Sequence, residues 1–293
     1  MLDKLFQLKK LYSNNTNILD FLREEKQTNR VEDILISYDL QSGTYTQNFE
    51  ENPYYYINYT KELSIKIKSL GGFKTIMEVG VGEATVLVNL LKHLNMNNIK
   101  PYGFDLSWSR LRYAKQFSEK HNYKINLFAG DLFSIPVADE SIDIVYSSHS
   151  IEPNGGREEE ALKELYRITR HYLILLEPDF ERGSVKAKKR MISNGYITKL
   201  NETIKKLNYN ILLDEPFRGS SNVLNPTGIK IIKKESNNYS KSFRFICPNT
   251  KQPISKVRNV YANNKAGLIY PIIDRIPCLL SSNAILATHF NQF

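Results

Sequence analysis

Only two cysteines, Cys247 and Cys278, occur in 293 residues. That number cannot build a disulfide framework, so reduced and buried thiols are expected. No apolar run approaches the roughly 18 residues that a membrane span requires. The opening MLDKLFQLKKLY also lacks a signal-peptide pattern. Together these absences lead to the expectation of a cytoplasmic protein with no membrane span. There is no arginine–glycine run and no aromatic RNA-binding signature to support RNA as a partner. What the chain does have is a formal net charge of +9. The excess stands out in RGSVKAKKR (182–190) and at Lys230, Lys233 and Lys234. Such a balance suits a phosphate-bearing partner, a nucleotide sugar or RNA, and equally a solvated helix face. The length allows one large domain or two smaller ones with ample core.

The most informative stretch is Thr75 to Leu87, TIMEVGVGEATVL. Ile76 to Val79 read as a buried parallel strand, because the run is mostly apolar on both faces. Gly80 and Gly82 permit a sharp turn and a close approach to a ligand that a Cβ would block. Glu83 to Leu94 then repeats apolar residues at helical spacing and offers free N–H groups in its first turn. A strand, a Gly-x-Gly turn and a helix form a nucleotide-cofactor site with a physical mechanism. Many α/β folds own one, so the rest of the sheet has to specify it.

That sheet is readable. Lys100 to Phe104 is a short strand ending in Asp105, 23 residues after Gly82. This is close to the roughly 20 expected for an acid accepting from a ribose hydroxyl. Ile125 to Phe128 leads to Gly130-Asp131-Leu132, Ile142 to Tyr146 follows the run PVADES, and Tyr172 to Leu176 ends at Glu177-Pro178. Arg157 to Arg170 reads as an amphipathic helix with Leu162, Leu165, Tyr166 and Ile168 inward. Alternation of this kind predicts an α/β fold whose parallel sheet is covered on both faces and binds ligands at the carboxyl ends of its strands. Glu78, Asp105, Asp131 and Glu177 all fall at or near such ends. Each could also be a loop acid capping the next helix.

The series MEVGVGEAT, YGFDLS, AGDLFSIPVADESIDIVYSSHSIEP and ALKELYRITRHYLILLEP resembles the class I S-adenosylmethionine-dependent methyltransferases, over about Thr75 to Lys234. The family pattern is acid-x-Gly-x-Gly-x-Gly, and here Ala84 stands at the third glycine. The resemblance implies a Rossmann-like, seven-stranded, mostly parallel sheet with S-adenosylmethionine as cofactor. Glu78 would sit near the methionine amino group, with Gly80 and Gly82 under the methionine part. Asp105, with Leu106 beside it, would take the ribose hydroxyls, and Asp131 with Leu132 the adenine. Ser147 completes the expected cofactor residues. The nearest rival, a nicotinamide dinucleotide fold, wants GxGxxG, but position 85 is threonine.

Around this core the chain divides into a helical cap or lid (1–70), a cofactor-binding domain (71–236) and a small C-terminal domain (242–293). In the cap, Leu2 to Tyr12 and Ile18 to Lys26 read as helices. A tyrosine-dense segment follows, and the resemblance implies a lid over cofactor and acceptor there, with Tyr38, Gln41 and Tyr45 as its polar contacts. An aromatic cluster packing a cap on the sheet is the structural alternative. Beyond Glu177, Val185 to Leu207 reads as one basic amphipathic helix, Asn210 to Asp214 and Gly228 to Lys233 as strands, and 233–241 as a linker. Last, FRFICPNTKQPIS and NKAGLIYPIIDRIPCLL resemble the small domain of the tRNA-methyltransferase activator family. Zinc-bearing members use four ligands, whereas Cys247 and Cys278 are the two available here, with no histidine among them. A metal-free, β-rich module is expected, stabilising the catalytic part in cis.

For the chemistry, His149 in YSSHSIEP is the candidate base, because an imidazole can accept a proton near neutrality. Glu152 is the alternative, with Glu177 and Arg182 placed at the acceptor. Relatives often carry Leu-Glu-His in this loop; here Ile151-Glu152 is followed by Pro153. His149 could instead simply pack or cap a turn. His93, His121 and His171 are expected to be structural. The leading functional reading is an O-methyltransferase for a small sugar, nucleotide-sugar or phosphorylated metabolite, in surface-polysaccharide or secondary metabolism. Its expected partner is a phosphate-bearing small-molecule acceptor. The alternatives are methylation of tRNA or a translation-related protein, and cofactor binding without catalysis.

Overall fold

The computed structural model describes residues 4–23, 28–235 and 242–290. Its first elements are α1 (Leu5–Ser13), α2 (Ile18–Arg23), α3 (Val31–Leu40), α4 (Thr44–Glu51) and α5 (Pro53–Lys68). Then come β1 (Thr75–Val79), α6 (Thr85–Leu94), β2 (Lys100–Asp105), α7 (Trp108–Lys120), β3 (Asn126–Ala129), β4 (Ile142–Ser148) and α8 (Glu158–Ile168). They are followed by β5 (Thr169–Pro178), α9 (Val185–Ser193), α10 (Leu200–Lys206), β6 (Asn210–Pro216) and β7 (Thr227–Lys233). The last part holds β8 (Ser255–Val257), β9 (Val260–Asn263), β10 (Leu268–Ile273), β11 (Ile276–Pro277) and β12 (Ile285–Leu286).

The seven strands of the main sheet run in the order β3-β2-β1-β4-β5-β7-β6. All neighbours are parallel except β7, which is antiparallel to β5 and β6. The order reverses between β1 and β4, so the loops after these two strands open the crevice where ligands bind in such sheets. Each face is covered by its own apolar cluster. Tyr59, Leu63, Leu87, Leu90, Leu111 and Phe117 pack on one side, and Leu162, Leu165, Ile168 and Ile204 on the other. The expected α/β fold, with its cap and a small second sheet, is therefore the fold found. Among the described residues no helix is long and apolar enough to cross a membrane.

Some elements differ from the sequence expectation. The basic helix predicted over 185–207 is broken into α9 and α10. Gly195 turns with φ 65°, and its carbonyl accepts from Gly155 N at 3.1 Å, which a continuous helix would forbid. The basic residues do not form one free strip. Lys230 is buried and paired with Asp214 at 2.7 Å, while Lys234 donates to the Tyr166 carbonyl. The second predicted helix is described as far as Arg23, and its expected end at Lys26 lies outside the described residues, as does 236–241 of the expected linker.

The small C-terminal sheet (β11-β10-β9-β8, with β12 on β10) shares a core with the main domain. Cys247, Tyr270 and Leu279 belong to the cluster under α8. Leu279 N donates to Ala129 O at 2.9 Å, so this segment covers the otherwise open edge at β3. Cys247 and Cys278 are both buried free thiols, and Cys247 Sγ lies 3.2 Å from the Tyr270 hydroxyl. Among the described residues, no group of three or more histidine, cysteine or acidic residues is arranged so that it could hold a metal ion.

Candidate functional site

The turn after β1 is built from left-handed positions. Gly80 has φ 62°, Gly82 φ 52° and Ala84 φ 59°. Ala84 meets the third glycine's conformation without being glycine, at a cost of about 1–2 kcal/mol. A Cβ on Gly80 would overlap the Ser150 Cβ, and one on Gly82 would approach the Tyr45 ring at 3.4 Å. The turn thus brings bare backbone against the β4 loop and the lid. Val81 N donates to Phe104 O at 2.9 Å, locking the turn to the neighbouring strand.

Two cavities meet at this turn. One, of about 120 Å³, is lined by Tyr38, Tyr45, Asp105, Leu106, Asp131, Leu132 and the Ser148–Ser150 segment. The other, of about 270 Å³, is lined by Tyr45, Tyr55, Tyr56, Glu78, His149, Glu152 and the polar loop residues Ser220, Asn222 and Asn225. Gly80, Tyr45, Ser148 and His149 border both. A larger cavity of about 880 Å³ lies against β3 and the C-terminal sheet and shares no lining residue with either. Volume alone would choose it, but none of the groups at the β1–β4 crevice reaches it.

In the small cavity, Asp105 Oδ2 accepts from Gly82 N and Oδ1 from Ser107 N, both at 2.9 Å. Burial raises its pKa, with Arg110 pulling the other way. Asp131 Oδ1 accepts from Phe133 N at 2.9 Å, and burial raises its pKa as well. Each carboxylate oxygen has a second lone pair for a ligand. Glu78, at the end of β1, is 2 % exposed and its Oε2 has no hydrogen-bond partner. Burial pushes its pKa well above the usual carboxylate range. A buried acceptor left unsatisfied is costly, and an ammonium group would satisfy it. The bare turn, the ribose-spaced acid and this orphaned oxygen fit a nucleoside carrying an amino-acid tail.

The lid is latched to these same loops. Glu83, fully buried, accepts from Gly43 N and Thr46 N, each at 2.7 Å. These are orphan donors at the start of α4, so Glu83 acts as a helix cap from another element and fixes Tyr45 between them. Arg110 Nε donates to Tyr38 O at 2.9 Å, and its guanidinium lies between the Tyr38 and Tyr45 rings, 4.6 and 4.4 Å from their centroids. Ser107 Oγ donates to Asp39 at 2.6 Å. Replacing Glu83 by Gln leaves one acceptor for two donors. Amide exchange at Gly43 and Thr46 is expected to rise about tenfold, the effect of one net hydrogen bond of roughly 1 kcal/mol or more. Unchanged exchange there would mean that the lid is held elsewhere.

In the larger cavity, His149 sits at φ 56°, an uncommon conformation for a side chain. Its Nδ1 pairs with Glu152, and its Nε2 lies 2.9 Å from Thr227 Oγ1. Burial opposes charge on the imidazole, but the attraction and hydrogen bond of Glu152, with Glu177 behind, outweigh it and raise the pKa. Burial alone would raise Glu152, yet His149 and the Asn225 amide bring it below the usual value.

Three residues expected at the acceptor or lid are used elsewhere. Glu177 lines neither cavity; its oxygens accept from Ser150, Ile151 and Glu152 N, bracing the His149 loop. Burial pushes its pKa up to about 7. Arg182 is paired with Asp179 at 2.8 Å and Asp214 at 3.0 Å, because β6 supplies a closer acid than any acceptor. Gln41 donates to Ser37 on its own helix. Ser147 is fully buried beneath the loop rather than on a cavity wall. Conversely, Glu83, Arg110, Asn225 and Thr227 join the site without any local sequence signal.

Residues 76–171 match the family described as a methyltransferase domain. The chain carries a methyltransferase domain. An O-methyltransferase family protein from Burkholderia thailandensis is similar in fold at 12% identity, covering 80% of this chain and 72% of that one, TM-score 0.53. A magnesium protoporphyrin IX methyltransferase from Synechocystis PCC 6803, solved with bound SAH, aligns at 12% identity over 79% of this chain and 100% of its own, TM-score 0.49. A putative S-adenosylmethionine-dependent methyltransferase from Methanococcus maripaludis aligns at 15% identity over 66% and 93%, TM-score 0.48. No curated protein matches the chain. The methyltransferase domain therefore spans β1 to the start of β5, the region that holds Glu78, Asp105, Asp131 and His149.

Proposed function

We propose that the protein transfers a methyl group from S-adenosylmethionine to a hydroxyl of a small acceptor. Sugars, nucleotide-sugars and phosphorylated metabolites of surface-polysaccharide or secondary metabolism form the candidate range. The observation that carries the reading is the His149–Glu152 pair on the wall of a cavity that Glu78, with its buried and unpartnered Oε2, also lines. In this reading Glu78 holds the cofactor's ammonium, Gly80 and Gly82 give room for its methionine part, Asp105 holds the ribose, and Asp131 with Leu132 the adenine edge. Bound there, the cofactor supplies an electrophilic methyl on a sulfonium. The chain's own groups then orient the acceptor and take its proton. Glu152 fixes His149 through Nδ1, and Nε2 is engaged by Oγ1 of the buried Thr227. The incoming hydroxyl takes the place of Thr227 or passes its proton through it. The lid (1–70) encloses the site, and the C-terminal module (242–290) braces β3 in cis, as the resemblance to activator domains implies.

The test is transfer of labelled methyl from S-adenosylmethionine to sugars, sugar nucleotides, phospho-metabolites and bulk tRNA. Label in a small hydroxyl acceptor is expected; label appearing only in tRNA overturns the reading. The pH profile checks the base. His149 has a raised pKa, so the charged pair with Glu152 is fully present below the ordinary histidine value of 6.5 and is lost as pH rises through the higher folded value. At the acid end, Glu152 keeps its contribution above 4.5 and loses it as pH falls through its lowered folded value. Turnover, which needs the neutral imidazole, is expected to climb through a midpoint above 6.5. A profile flat across that range removes His149 as the base.

A further inference from the structure

We propose that the acceptor is an uncharged polyhydroxylated ring, a sugar without phosphate, seated between the Tyr55 and Tyr56 rings and the Asn225 side chain. This rests on the methyl-transfer reading and narrows its substrate class. Three independent features of the larger cavity lead to it.

The first is charge. Its lining includes the carboxylates of Glu78 and Glu152 and no lysine or arginine. The nearby cations that composition suggested are already spent, Arg182 on Asp179 and Asp214, and Lys230 on Asp214. Any charge on His149 is answered by Glu152 at hydrogen-bonding distance. A phosphate would be stripped of water beside the Glu152 carboxylate and meet no forked donor, the arrangement that phosphate sites use. A protonated amine would not be repelled by these walls, but as an acceptor it would have to surrender its proton first.

The second is an unmet hydrogen bond. Asn225 is 8 % exposed, donates its Nδ2 to Glu152 at 3.1 Å, and has an Oδ1 with no partner. That oxygen needs a donor, and a hydroxyl provides one. Asn225 reaches His149 through Glu152, so a ring hydroxyl bound at Oδ1 lies on the wall that carries the base.

The third is surface. Tyr55 is 39 % exposed and Tyr56 meets it edge-on, 5.4 Å between centroids. Flat apolar faces rimmed by hydroxyls match the alternation of C–H faces and equatorial hydroxyls on a pyranose. The cavity of about 270 Å³ also takes the cofactor's methionine part along Gly80 and Gly82, so the space left between the tyrosines and Asn225 suits no more than a single ring.

The experiment uses the full chain saturated with S-adenosylhomocysteine. Saturation-transfer NMR titrations compare glucose, galactose, mannose and N-acetylglucosamine with their 6-phosphates, and glucosamine as the cationic arm. At least one neutral sugar is expected to bind, with its phosphate at least tenfold weaker. Asn225→Leu should weaken that sugar about tenfold while S-adenosylhomocysteine affinity stays put, which also shows that the variant folds. Ser220→Lys, on the exposed loop, should shift preference towards the phosphate. A phosphorylated sugar or glucosamine binding as tightly as the neutral sugar overturns the proposal, as does an Asn225→Leu variant with unchanged sugar affinity. If S-adenosylhomocysteine binds and no neutral sugar does, this inference alone falls. If S-adenosylhomocysteine itself fails to bind, the methyl-transfer reading falls with it.

Discussion

Replacing Gly80 by Ala is expected to lower affinity for S-adenosylhomocysteine by at least about a hundredfold. Two costs combine. The residue sits at φ 62°, where a side chain adds roughly 1–2 kcal/mol. Its new Cβ would also overlap the Ser150 Cβ, so the β4 loop must shift, and such overpacking typically costs about 1–3 kcal/mol. That loop carries His149 and is already pinned by three bonds to Glu177, so it cannot give way without losing them. These costs reach binding because the free variant can relax its turn and loop, and the cofactor requires them back in place; each 1.4 kcal/mol then given up is about tenfold in affinity. Isothermal titration reads the effect directly. Gly72→Ala is the control, since nothing lies within 4 Å of a Cβ there. An unchanged affinity in Gly80→Ala would remove the turn from the cofactor site.

Asp105→Ala should produce the second large effect, on affinity and stability together. The side chain satisfies Gly82 N and Ser107 N, both close to the buried glycine turn. Orphaning such donors costs roughly 1–3 kcal/mol each, and the lost bond to the ribose about 1.5–3 kcal/mol more. Affinity should fall about ten- to a hundredfold, and the melting temperature by several degrees, on the order of 2–4 °C per kcal/mol for a chain of this size. Asp105→Asn keeps one oxygen and should fall between. A variant that loses stability but binds cofactor within about threefold of the parent would assign Asp105 a purely architectural role.

The strands were legible because each is an apolar run with an acid or glycine at its end, and Glu78, Asp105 and Asp131 follow from that pattern. What the pattern lacks is direction. A carboxylate at a strand end looks the same whether it lines a cavity, as Asp105 does, or lies behind a loop whose backbone donors it gathers, as Glu177 does. Arg182 looked available because the acid that claims it, Asp214, lies on a strand 32 residues later. The broken helix escaped notice because its apolar spacing continues across Gly195 while the backbone turns. Asn225 and Thr227 could not be foreseen, since they reach Glu152 and His149 respectively from the entry to β7, over 70 residues away in sequence. Glu83 reads as a first-turn helix acid, which conceals that it caps a different helix.

The stitch between Leu279 and Ala129 also sets an order of events during synthesis. Strand β3 leaves the ribosome long before the segment that seals it, and until then presents a bare row of backbone donors and acceptors. Gly130 and Asp131 lie directly beyond that row, so the strand that leads into this wall of the small cavity is sealed only when residues 276–279 arrive. A nascent chain halted before them would hold the glycine turn and yet be the form most prone to pair with a neighbour.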